Sequence, residues 1–151
     1  MKLTYTPATL ADLDIVSKYE EESYHPDEAA SKEQLRTRIG YASHSGPELF
    51  MVARDSDKIA GFLCSTLTHS DLVTDESMSA HEPEGRTICL HSVCVAPDMR
   101  KRGIATDLLK NWIAQLKEIN TQKKKYDRIA IMSRPSLMSF YENVGFVNKG
   151  Q

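Results

Sequence analysis

Leu90-His91-Ser92-Val93-Cys94-Val95-Ala96-Pro97-Asp98-Met99-Arg100-Lys101-Arg102-Gly103-Ile104-Ala105-Thr106 runs from an apolar strand, through a proline and three cations, toward a helix. The segment from Arg86 to Val95 carries Ile88, Leu90, Val93 and Val95 and predicts a central strand. Ala96-Pro97-Asp98 ends it, because proline cannot donate a ladder hydrogen bond. Beyond Gly103, Ala105, Leu108, Leu109, Trp112, Leu116 and Ile119 recur at spacings of three and four, which predicts an amphipathic helix covering the sheet. A loop between a strand end and a helix start presents unpaired backbone N–H groups and the positive end of the helix dipole, so it suits phosphate oxygens. Arg100, Lys101 and Arg102 add charge of the right sign, the plainer alternative being a solvated basic turn. Neither GxxxxGKS/T nor GxGxxG is present, so the common nucleotide-binding loops are not indicated.

Two side chains near this segment can carry proton chemistry. Strand alternation places His91 on one face with Cys89, Val93 and Val95, where an imidazole can accept or relay a proton near neutral pH. Its plain alternative is a satisfied core histidine. Tyr141 follows Phe140 in a predicted short helix, and its phenol either packs against the sheet or faces the cleft and protonates a departing thiolate. Alternation sets Cys94 opposite His91 unless a bulge shifts the register, and core packing is its expected role. Cys64, Cys89 and Cys94, with histidines at 25, 44, 69, 81 and 91, form neither CxxC nor HExxH, so no metal site is expected.

Toward the N-terminus, Lys2 to Thr6 alternates like a short strand, and Thr9 to Asp12 forms a capping box before a helix over 10–22. The turn Ser23 to Asp27 leads to a second box at Ser31 to Gln34 and a helix expected to stop near Gly40. Leu49 to Ala53 and Ile59 to Cys64 flank a polar turn and read as a hairpin. His69 to Gly85 reads as a surface loop or lid, expected to be mobile. On the C-terminal side, Arg128 to Met132 reads as a strand, Pro135 opens the short helix containing Leu137, Phe140 and Tyr141, and Gly145 supplies a stop before a return toward a strand. Strands and helices alternate without repeats, which implies an α/β domain spanning 1–151. The carboxylates and aromatics of Tyr19 to His25 suit a cationic or aromatic amine, or equally a solvated helix end.

A chain of 151 residues suffices for one domain with a sizeable core. Its 19 basic and 21 acidic residues leave a net charge of -2, so no global attraction to nucleic acid is expected. Three irregularly spaced cysteines and no apolar leader point to a reducing, cytoplasmic compartment. No apolar run approaches the roughly 20 residues that span a bilayer. A monomer is the default expectation.

Arg100-x-x-Gly103-x-Ala105 after the Val93 to Val95 strand, with Phe140-Tyr141-Glu142-Asn143-Val144-Gly145-Phe146 later in the chain, resembles the GCN5-related N-acetyltransferases. Ser23 to Ser31, Pro47 to Phe50 and Leu90 to Val93 make it similar to the fungal-type arylalkylamine N-acetyltransferases of that superfamily. The resemblance implies a single-domain GNAT fold, a twisted, mixed, mostly antiparallel sheet with a central splay and flanking helices. It implies acetyl-CoA as cosubstrate and no metal, with Val93, Cys94 and Val95 beside pantetheine and Arg100, Lys101, Arg102, Gly103, Ile104, Ala105 and Thr106 holding pyrophosphate. His91 matches one of two histidines tied to proton removal, Cys89 stands where the other would be, and Tyr141 matches a tyrosine near the coenzyme A sulfur. Tyr24, His25, Pro26 and Phe50 fall in regions that shape an amine pocket. The implied acceptor is a small arylalkylamine such as tryptamine, serotonin or phenylethylamine, with a polyamine or a noncatalytic acyl-CoA sensor as alternatives.

Overall fold

A computed structural model describes residues 2–70, 80–131 and 137–147. Five strands form one sheet in the order β1-β2-β3-β4-β5: β1 (Thr4–Pro7), β2 (Phe50–Asp55), β3 (Lys58–Thr68), β4 (Thr87–Val95) and β5 (Arg128–Ile131). The first four pair antiparallel, whereas β5 runs parallel to β4. A parallel neighbour needs a long crossover, and α3 (Ile104–Gln122) provides it. The other helices are α1 (Leu13–Ser23), α2 (Lys32–Ser45) and α4 (Met138–Asn143).

Burial follows the apolar spacing. Val16, Leu35, Phe50, Phe62, Leu63, Leu108, Leu109 and Trp112 lie fully inside one cluster. The indole N–H of Trp112 donates to the Glu48 carbonyl at 2.7 Å, and the Glu48 carboxylate accepts from Tyr126 and Lys125. That buried network ties α3 and the start of β5 to the turn ahead of β2, and leaves the Glu48 carboxylate with charged and phenolic partners.

Several boundaries depart from the sequence reading. Leu10–Asp12 is a tight 3-10 turn, and the α-helix begins at Leu13. Asp12 is held there by the Thr9 amide at 2.9 Å and Arg54 at 2.8 Å. α2 passes through Gly40 to Ser45 because burial of Leu35, Ile39 and Ala42 outweighs a glycine penalty of about 1 kcal/mol. Leu49 belongs to a 3-10 turn, and β2 and β3 extend to a two-residue hairpin loop in which Ser56 takes φ 54°. After β3, His81 accepts from the Leu67 amide at 3.1 Å and stacks on Tyr41, while Glu82 accepts from Thr68 and His69. Both ends of the expected lid are thus fastened to β3, and its residues 71–79 lie outside the described residues, as do Met132 and Pro135. Gly145 takes φ 107° after α4, and the described residues that follow it, Phe146 and Val147, form no strand. No helix among the described residues is long and apolar enough to cross a membrane.

Candidate active site

The anion-binding end is built by backbone geometry. Pro97–Met99 forms a 3-10 turn, then Lys101 (φ 67°) and Gly103 (φ 76°) both adopt the left-handed region. These reversals aim the chain into α3, whose first internal hydrogen bond runs from the Asp107 amide to the Gly103 carbonyl. The amides of Ile104, Ala105 and Thr106 precede it and are free of helical partners. A cavity of about 330 Å³ opens there, lined by Ser23, Tyr24, Val93–Val95, Met99, Arg100, Lys101, Gly103–Thr106 and Leu137. Of the ten residues expected to hold acetyl-CoA, nine line it. Arg102 stands exposed in the same turn, outside that lining. A Cβ on Gly103 would meet nothing within 4 Å, so the positive φ, not crowding, is what favours glycine. Open space, orphan amides and flanking cations fit a diphosphate.

The pairing of β4 with β5 runs from Thr87/Arg128 to Leu90/Ile131 among the described residues, and the cavity lies beside the next part of β4. Here the hydroxyl of Tyr24 takes up the Val93 backbone: it accepts from the Val93 amide at 3.2 Å and donates to the Val93 carbonyl at 3.4 Å. Burial raises the Tyr24 phenol well above its ordinary pKa. Burial also raises Tyr141 to about 12, with Cys94 adding to the shift. The Tyr141 ring meets Phe140 and Phe146 edge-on at 5.1 and 5.5 Å, and its hydroxyl has no hydrogen bond among the described residues. A buried, protonated, uncommitted phenol can donate a proton.

His91 sits at a β-bulge. Ser92 faces Cys64 and Leu90 faces Ser65, so His91 is the extra residue on β4. Cys64 and Thr66, two apart on β3, share a face, and their partners Ser92 and Cys89 share it too. The His91 ring joins them through a 2.8 Å contact between Nε2 and the Thr66 hydroxyl. Cys94, two residues beyond Ser92, donates to the α1 carboxylate of Glu20, and Arg38 of α2 reaches the Cys64 sulfur at 3.7 Å. The expectation that His91 shares a face with Val93 and Val95 and opposes Cys94 is therefore corrected: the bulge brings Cys89, His91, Ser92 and Cys94 to the α1/α2 side. Burial, helped by the Arg38 charge, pulls His91 down to about 3 and keeps it neutral. Its Nδ1 is buried without a hydrogen-bond partner among the described residues. Burial pushes the Cys94 thiol well above its ordinary range, which opposes a nucleophilic thiolate.

Of the four residues expected at the amine pocket, only Tyr24 reaches the cavity. His25 and Pro26 are exposed, and the His25 ring accepts from the Asp27 amide within its own turn. Phe50 is a correction: it is fully buried, stacked on Phe62 at 5.8 Å, and serves the core. Glu20, from the acidic run, is buried and accepts from the Ala30 amide at 2.8 Å, while Glu22 pairs with Lys18. Sequence reasoning passed over Thr66 and Arg38, which carry no local motif and meet His91 and Cys64 only through folding. No group of three or more potential metal-ligating side chains occurs among the described residues.

The acetyltransferase (GNAT) domain family matches residues 15–151. The chain belongs to that family. It is 29% identical over 100 residues to serotonin N-acetyltransferase from Mesocricetus auratus, covering 66% of this chain and 46% of the relative. The same enzyme from Macaca mulatta is 28% identical over 100 residues, or 66% of this chain and 47% of the relative. The GNAT chain thus spans about half the length of these curated relatives. In three dimensions it resembles the loading GNATL domain of CurA from Lyngbya majuscula (TM-score 0.72, 16% identity, 93% of this chain and 69% of that one). It also resembles a predicted acetyltransferase with acetyl-CoA from Clostridium acetobutylicum (TM-score 0.64, 18% identity, 98% and 92%). At these identities the structural likeness concerns the fold. The single GNAT domain, its mostly antiparallel mixed sheet and its flanking helices agree with the sequence reading, whereas a specific kinship to the fungal-type enzymes does not emerge from these relatives.

Proposed function

We propose that this GNAT domain transfers the acetyl group of acetyl-CoA to the primary amine of a small acceptor, arylalkylamine in class, by direct attack within a ternary complex. The observation that carries the reading is one cavity that brings together the α3 amides, Arg100, Lys101 and the Val93–Val95 segment, with Tyr24 in its wall; Tyr141 lies close enough to Tyr24 to act on it but is not among the lining residues. The diphosphate takes the amides of Ile104 to Thr106 with Arg100 and Lys101, and pantetheine lies along Val93 to Val95. Holding both reactants in one site supplies most of the orientation that the uncatalysed encounter lacks.

The acceptor nitrogen forms a bond to the thioester carbon as the carbon–sulfur bond breaks. An alkylammonium must first lose a proton, and Tyr141 returns one to the coenzyme A thiolate. His91, held neutral, takes the amine proton at Nδ1 as Nε2 gives one to the Thr66 hydroxyl, from which it leaves to solvent through the cavity that Thr66 lines. The arylalkylamine class is supported by the names of the curated relatives. A polyamine channel would need acidic walls, and the buried Glu20 and the paired Glu22 do not line the 330 Å³ cavity. The test is thiol release from acetyl-CoA with tryptamine, phenylethylamine, spermidine and spermine in parallel, with product mass determined. Release with the aryl amines is expected; release confined to polyamines would reverse the class, and none with any amine would sink acetyl transfer to these acceptors.

A further inference from the structure

The end of β3 outruns its neighbour. β2 begins at Phe50, opposite Cys64, so among the described residues Leu67 has no β2 partner beside it, and it is buried. Two residues of the β3–β4 connection stand in for the missing strand. The His81 imidazole accepts from the Leu67 amide at 3.1 Å, and the Glu82 amide donates to the Leu67 carbonyl at 2.8 Å. A backbone N–H can only donate, so Nδ1 of His81 carries no proton and the neutral ring is the Nε2–H tautomer. That N–H donates to the Ser45 hydroxyl of α2 at 2.8 Å, and the ring stacks on Tyr41 of α2 with centroids 4.4 Å apart. His81 thus ties the end of β3 to the last turns of α2, and it does so in one protonation state only. A proton on Nδ1 turns the acceptor into a second donor, aimed at the Leu67 N–H.

The tie borders the route by which the amine proton leaves. The cavity that Thr66 lines, of about 120 Å³, also has Arg38, Tyr41 and Ala80 in its wall. Three of its residues are held through His81: Tyr41 by stacking, Thr66 as the chain neighbour of Leu67, and Ala80 as the chain neighbour of His81. The Thr66 hydroxyl is the one 2.8 Å from His91 Nε2. We infer that His81 is a positioning residue that works as a pH latch: neutral, it holds Thr66 and this wall in the arrangement that drains the proton from His91, and protonated, it lets them go. The positioning half rests on the acetyl-transfer reading above. The ionisable side chains on the elements around His81, among the described residues, are Arg38, Tyr41 and His44 of α2, His69 after β3, and Glu82 beside it. Stacking on Tyr41 and the Glu82 charge favour an imidazolium, whereas Arg38 and burial oppose it. Burial prevails and lowers the His81 pKa, so the latch stays closed until the pH falls below the ordinary imidazole range.

The first test is nitrogen-15 NMR of the unaltered chain. His81 is expected as the Nε2–H tautomer at pH 7.5, and on acidification the Leu67 amide signal is expected to move with the same midpoint as the His81 ring, below about 6.5. An Nδ1–H tautomer, or a Leu67 amide that ignores the titration, overturns the latch. The second test follows thiol release from acetyl-CoA with phenylethylamine in the unaltered chain and in His81→Gln, whose side-chain oxygen accepts from Leu67 at every pH. Both are measured where the chains keep their native circular dichroism, and ionisation of the amine cancels in the ratio of their rates. That ratio is expected to be near one at pH 7.5 and to favour the variant by about fivefold one pH unit below the His81 midpoint, the value of one hydrogen bond. A ratio that does not change with pH overturns the positioning role. Should neither chain acetylate any amine, the acetyl-transfer reading falls, and the NMR titration alone decides the latch.

Discussion

The hydroxyl of Tyr24 sits between the amide and the carbonyl of Val93, at 3.2 and 3.4 Å. In the proposed complex pantetheine uses these same backbone groups and displaces the hydroxyl. Tyr24→Phe removes the competing hydroxyl and keeps the ring. Acetyl-CoA is expected to bind about fivefold more tightly to this variant, the value of one net hydrogen bond of ~1 kcal/mol. Calorimetry reads it, and weaker binding would mean that Tyr24 supports the cosubstrate.

Tyr141 is protonated throughout the working range, with its pKa near 12. Tyr141→Phe keeps the edge-on packing with Phe140 and Phe146 and deletes only the proton donor. Turnover is expected to fall on the order of 10²-fold. Affinity for acetyl-CoA should change less than threefold by calorimetry, a small fraction of the fall in turnover. An equal loss in both would assign Tyr141 to binding.

The bulged His91 gives stability a pH dependence whose sign follows from its depressed pKa of about 3. Between that value and the unfolded value of about 6.5, the unfolded chain takes up a proton that the folded chain refuses, so stability falls as pH drops below 6.5. Urea unfolding at pH 6.5 and 5.5 is expected to show an excess loss of about 1 kcal/mol in the unaltered chain relative to His91→Gln. Parallel losses in the two proteins would show that His91 is not held neutral.

Gly103 separates backbone strain from charge. Both Gly103→Ala and Gly103→Glu force a side chain into φ 76°, at a shared cost of about 1 kcal/mol in stability. Only the glutamate brings negative charge to the α3 amides. Acetyl-CoA affinity is expected to drop about tenfold further in the Glu variant than in the Ala variant. Equal affinities would place the diphosphate elsewhere.

The α3 helix and the loop before it were readable because their determinants are local. The spacing of Leu108, Leu109, Trp112 and Leu116 gives the buried stripe, and Gly103 marks the turn. Nine of ten residues expected around acetyl-CoA meet in one cavity for the same reason. The face of His91 was not readable, since a bulge depends on how β3 pairs with β4 and leaves no periodic trace. Phe50 carries the same signal whether an aromatic ring fills a core or a pocket, and only its stacking on Phe62 decides. Gly40 read as a stop because propensity is local, whereas the burial that carries α2 past it is not. Arg38 and Thr66 are 28 positions apart in sequence and share a cavity only because α2 lies along β3.

The three cysteines all lie inside the sheet, Cys64 and Cys89 at 0% exposure and Cys94 at 2%. A chromogenic disulfide reagent therefore finds almost no reactive sulfur on the native fold, so in a turnover assay its colour counts liberated coenzyme A and not the catalyst. The same reagent doubles as an integrity gauge: once the sheet opens, each chain adds three equivalents of colour of its own, and a preparation that yields them without acceptor has lost its fold.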